Sequence, residues 1–133
     1  MVSLTAPLLS VVMMFGFTPR TQQPFTIRPD KPINCEHFSA SLDIAIIEWQ
    51  QLKDTHLILV ARLGDGERNR KLNRMRLSYV EDYLDKKDVQ YVFAEGERVK
   101  GPGRMEVYVG GRLAMSIPLM KGSRRLCWGS NGE

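Results

Sequence analysis

Four polar side chains in the middle of this chain have the types and spacing to grip a charged ligand. They are Arg62, Asp65, Asn69 and Arg76. Arg76 stands out, because it falls within an apolar helical stripe formed by Leu72, Leu77, Val80, Tyr83 and Leu84. A guanidinium keeps its proton and is costly to bury alone, so Arg76 must meet an anion. Either a ligand supplies it, through two parallel hydrogen bonds to a carboxylate, or the protein does, from Asp65, Glu67 or Glu106. Asn69, on the same face and two turns earlier by way of Asn73, offers both a donor and an acceptor, or serves as a helix cap. Asp65, in the Gly64-Asp65-Gly66 turn, either contacts a ligand or caps the helix, and Arg62 would add a second cation.

The elements that must hold these residues read as strand, turn and helix. Leu57-Ile58-Leu59-Val60 is a buried-strand run, and Asn69 to Leu84 is an amphipathic helix whose other face carries Arg70, Lys71, Arg74, Ser78, Glu81, Asp82 and Asp85. Before them, Pro24 to Arg28 predicts a short first strand with Phe25 and Ile27 on one face. Ser39 or Ser41 is positioned to cap a helix reaching about Lys53, with Phe38, Leu42, Ala45, Ile46, Trp49 and Leu52 on its core side. Trp49 reads as core. After them, Val89 to Ala94 predicts a strand, and Arg104 to Val109 alternates with the period of a half-buried one. These two are expected to form a hairpin around Gly101-Pro102-Gly103, with Leu113 to Leu119 extending the sheet beyond Gly110-Gly111. The order strand-helix-strand-helix-strand-strand describes an α/β (α+β) sandwich with helices packed on a mixed sheet.

Three motifs in this order resemble those of OmpA-like, peptidoglycan-associated domains. Asn69-x-x-Leu72-x-x-x-Arg76-x-x-x-Val80-x-x-Tyr83-Leu84 resembles the family's N-x-x-L-S-x-x-R-A-x-x-V-x-x-Y-L helix; Ala94-Glu95-Gly96-Glu97 resembles its G-x-G-E turn; and Arg104-Met105-Glu106-Val107 resembles its R-R-V-E-I strand. The match covers about Phe25 to Leu113. The resemblance implies the same element order and a non-catalytic periplasmic domain. It also implies binding to the diaminopimelate of the peptidoglycan stem peptide, with Arg76 and a loop aspartate as the grip and Asn69 and Arg62 beside them. Asp65 sits one place later than the family's loop aspartate, and Arg62 replaces a small or aromatic residue. A domain that kept the fold and lost the ligand would instead be a structural, protein-binding subunit of an envelope assembly.

The 133 residues suit one domain, expected over 24–120, with a leader and linker over 1–23 and a loosely held polar tail over 121–133. Val2 to Phe17 carries no charge but is short for a membrane span and contains Pro7, which favours a secretory leader over a retained anchor. No Lys or Arg precedes it, and it lacks an A-x-A site. Only a retained leader would bring the chain to a membrane. The net charge of +4 is mild and interspersed, and the basic run Arg68 to Arg74 continues into Glu81, Asp82 and Asp85, which argues against nucleic acid. Cys35 and Cys127 are either an exported chain's disulfide or two thiols; a loop of that length gives a bridge worth about 4 to 5 kcal/mol. His37 and His56 stand alone, so no metal is expected. With no nucleophile-base pattern the chain does not read as an enzyme, and no cofactor is implied.

Overall fold

A computed structural model describes Gly16 and residues 25–129; the leader expected over 1–23 therefore lies, apart from Gly16, outside the described residues. The elements run α1 (Cys35–Gln50), β1 (Leu57–Arg62), α2 (Leu72–Lys86), β2 (Tyr91–Glu95), β3 (Arg104–Val109) and β4 (Arg112–Pro118). The architecture is α+β, two helices on a mixed four-stranded sheet of order β2-β1-β3-β4. β1 is its hub. It pairs parallel with β2 and antiparallel with β3, while β3 and β4 form the antiparallel hairpin across Gly110-Gly111.

The hairpin expected between the third strand and Arg104 to Val109 does not form, because β1 lies between β2 and β3. Parallel pairing of β1 with β2 needs a long crossover, which α2 supplies, and the chain from Gly96 to Gly103 then passes over the end of β1 to reach β3. Val99 N–H donates to Leu63 O (2.9 Å) on the way. The expected first strand is reduced to a single parallel bridge, Ile27 to Met115, and while Ile27 packs against the core, Phe25 is 71% exposed.

Alternation along the strands sets the two faces. Leu57, Leu59, Ala61, Met105, Val107 and Val109 point to the helices and are buried, while Ile58, Val60, Arg104, Glu106 and Tyr108 lie half-buried on the open face. Against the buried face α1 presents Phe38, Leu42, Ala45 and Ile46, and α2 presents Leu77, Val80 and Leu84. α1 starts earlier than the serines suggested. Asn34 caps it, its Oδ1 accepting from His37 N–H at 2.8 Å. Trp49 packs on the core and donates to Thr55 O (2.9 Å), which fixes the exit from α1. Arg112 grips Glu48 through Nε (3.1 Å) and Nη2 (2.5 Å), tying the end of α1 to β4.

The segment after β4 is held, contrary to the loose tail expected there. Leu126 and Cys127 are buried, Cys127 is bonded to Cys35, and Asn34 bridges Trp128 in parallel. No helix among the described residues is long and apolar enough to cross a membrane. The disulfide suits an oxidising, extracytoplasmic compartment.

Candidate functional site

Arg76 projects from α2 into the junction between the end of β1 and the turn after β4, and it is 0% exposed. Its anion is Glu67, 3% exposed, which reaches in from the loop ahead of α2. The contact is bidentate: Nη1 to Oε1 at 3.0 Å and Nη2 to Oε2 at 2.5 Å. Nε donates to Ser123 O (2.9 Å) and Nη2 also to Met120 O (3.3 Å). Each Glu67 oxygen accepts one further backbone N–H, from Gly64 and from Gly122, both at 2.8 Å.

Glycines seal this pair. A Cβ on Gly103 would lie 2.5 Å from Glu67 Oε1 and 2.9 Å from Arg76 Nη1, and one on Gly64 would lie 2.2 Å from Gly103 N. The ion pair thus takes the space of a side chain at position 103, and the backbone of residues 101–103 takes that at position 64. Burial by itself pushes the Glu67 carboxyl up, but the Arg76 guanidinium and the N–H groups of Gly64 and Gly122 outweigh it and hold the carboxyl below its ordinary value.

The other residues of the expected grip are also engaged within the protein. Asp65 is exposed and forms a reciprocal clasp with Gly101, its N–H donating to Gly101 O (2.7 Å) and its Oδ2 accepting from Gly101 N–H (2.7 Å). Arg62 pairs with Glu106 on the open face of the sheet, and hydrogen bonding to that carboxylate raises its pKa above the ordinary arginine value. Asn69 lies in the turn before α2, where its Oδ1 accepts from Lys71 N–H (3.0 Å) and its carbonyl from Leu72 N–H (3.1 Å), a local turn that starts the helix. The four side chains do not converge on one cleft. A foreign carboxylate could reach Arg76 only by displacing Glu67.

Spacing alone did not single out Glu67 among the acids. Residues 67 and 76 are separated by a non-helical stretch, so no periodicity links them. The turn Met120–Ser123, which supplies three of the pair's contacts, straddles the boundary between the expected domain, ending at 120, and the polar tail over 121–133; its usable signal was the apolar triplet Leu126-Cys127-Trp128 just beyond a Lys-Gly turn. Asn73, on the line between Asn69 and Arg76, is buried, and its Oδ1 meets no donor among the described residues. His37 and His56 are exposed, and among the described residues no cluster of His, Cys, Asp and Glu could hold a metal.

Two open surfaces flank α2. One is a groove of about 310 Å³ between α2 and β2, lined by Arg74, Leu77, Ser78, Glu81 and Phe93 to Glu95. The other, of about 510 Å³, lies between α2 and the chain after Met120. Comparison with known proteins returns no matching family, characterised protein or solved structure.

Proposed function

We propose that this chain is a non-catalytic interaction domain of a periplasmic envelope assembly, a degenerate OmpA-like domain that takes an extended segment of a partner protein along β2. The open edge of that strand carries the reading. Gln90 O accepts from Leu57 N–H and Gly96 N–H donates to Ala61 O, both at 2.9 Å, so the alternation of the ladder turns Val92 and Ala94 toward β1. Tyr91, Phe93 and Glu95 therefore aim their backbone N–H and C=O away from the sheet, at its outer edge. Such an edge is a template for strand addition.

The groove beside it gives an added strand somewhere to place side chains. Its floor is apolar, from Leu77 and Phe93, and its rim carries Arg74, Glu81 and Glu95. Val92, 47% exposed, offers a further apolar contact on the opposite face. The disulfide favours the exported compartment in which such an assembly would work.

Glu95→Pro tests the reading, because it removes an outward N–H while leaving the inward ladder to β1 intact. Photocrosslinking from position 92 in cells is expected to trap a partner polypeptide with the parent sequence and with Glu95→Ala, and to lose it with Glu95→Pro. Equal trapping by Glu95→Pro, with the fold retained by circular dichroism, would refute strand addition. The other function that the resemblance implies, diaminopimelate binding, is tested by cosedimentation with purified sacculi. With Arg76 committed to Glu67, no retention that free diaminopimelate can compete away is expected.

A further inference from the structure

We infer that the second groove, between α2 and the turn following β4, is a binding site for a phosphoryl group carried on a larger ligand. It is lined by Arg74, Met75, Ser78, Tyr79, Arg124 and Arg125, with no carboxylate among them. Neither Arg74 nor Arg124 has an acidic partner among the described residues, while Arg125 is engaged within the protein. Guanidinium forks together with the Ser78 hydroxyl match the tetrahedral oxygens of a phosphate ester.

These cations are placed rather than merely numerous. Arg74 belongs to α2, whereas Arg124 and Arg125 lie about fifty residues further along a chain that would be free to drift without an anchor. The buried pair supplies one: Arg76 donates to Met120 O and Ser123 O, and Gly122 N–H donates to Glu67. Two residues further on, the Cys127–Cys35 bridge provides another, with the Tyr79 hydroxyl 3.8 Å from Cys127 Sγ and 4.0 Å from Cys35 Sγ. Pinned on both sides, residues 124 and 125 keep their place beside Arg74. Preorganisation of this kind lowers the ordering cost of binding an anion. The groove also gives the buried pair a role, since it sets the distance between two cationic segments that would otherwise repel. This inference is independent of strand addition at β2.

Amide NMR titration of the oxidised chain with inorganic pyrophosphate at physiological ionic strength tests it. Saturable shifts are expected around Ser78, Tyr79 and Arg124. Arg124→Gln should weaken binding tenfold or more, whereas Arg28→Gln, at an exposed position that does not line the groove, should leave it unchanged. Non-saturable shifts, or equal weakening by both substitutions, would overturn the site in favour of diffuse attraction. Flotation with phosphatidylglycerol-containing vesicles against pure phosphatidylcholine vesicles then separates the sources. Arg124-dependent flotation marks a lipid headgroup, and pyrophosphate binding without flotation marks a soluble phosphorylated ligand.

Discussion

Removing one member of the Glu67–Arg76 pair should be among the most damaging single substitutions in this protein. Taking away one partner of a fully buried ion pair costs about 3–5 kcal/mol, because the other charge is left without compensation. The two directions are not equal here. Glu67→Ala strands a guanidinium that cannot lose its proton, with only the Ser123 and Met120 carbonyls facing it, and belongs near the upper limit, about 5 kcal/mol. Arg76→Met leaves a carboxyl that still accepts from Gly64 and Gly122 and can take up a proton, so about 3 kcal/mol is expected. Against a total stability of roughly 5–15 kcal/mol, either loss is large. The double variant should lose about as much as Glu67→Ala alone, giving a coupling energy of about 3 kcal/mol.

Urea unfolding followed by tryptophan fluorescence gives all four corners of this cycle. The acid limb adds a check whose sign is fixed by the lowered Glu67 carboxyl. Its contribution is complete above the unfolded-state value of about 4.3 and disappears as the pH falls through the lower folded value. The gap between parent and Glu67→Ala should accordingly narrow on acidification. Additive losses, or an Arg76→Met variant within about 0.5 kcal/mol of the parent, would show that the guanidinium is not spent internally and would return it to the role of ligand grip.

Two further outcomes follow from the same structure. Reduction of Cys35–Cys127, or Cys35→Ser with Cys127→Ser, opens a loop of sequence separation 92 and should lower stability by up to about 4.6 kcal/mol, measured by urea unfolding with and without reductant. Tyr83, through burial and then its hydrogen bond to Asp43, and Tyr91, through its bond to Asp85, are both pushed up to about 12. Ultraviolet titration should find these two phenols still protonated at pH 11, with the stability from Tyr83 intact below about 10 and lost as the pH rises through 12.

Much of the architecture was legible because apolar periodicity reports which face is buried. The stripe Leu72, Leu77, Val80 and Leu84 predicted α2, and the alternation Met105, Val107 and Val109 predicted β3. Arg76 within that stripe correctly announced a buried cation, and Glu67 was among the acids that could meet it. Strand partners were not legible. Nothing in Tyr91 to Val109 distinguishes a hairpin from two strands flanking β1, since pairing is decided by the whole sheet. The site was missed for a related reason. Its anchors are backbone groups of Gly64, Met120, Gly122 and Ser123, and carbonyl and amide positions leave no mark on residue type. The start of α1 was also misplaced, because Ser39 and Ser41 are cap-type residues ahead of the apolar stripe, whereas the cap is Asn34.

Cys35 opens α1 and Cys127 lies in the segment after β4, and Asn34 runs beside Trp128 just outside them. Tension applied to the two ends of the described chain would meet the bridges Ile27–Met115 and Asn34–Trp128 first, and then pass from one sulfur to the other rather than through the helices and the rest of the sheet. While the disulfide is oxidised, the elements from α1 to β4 would stay closed after those two bridges part; once it is reduced, the same load would pass on to them.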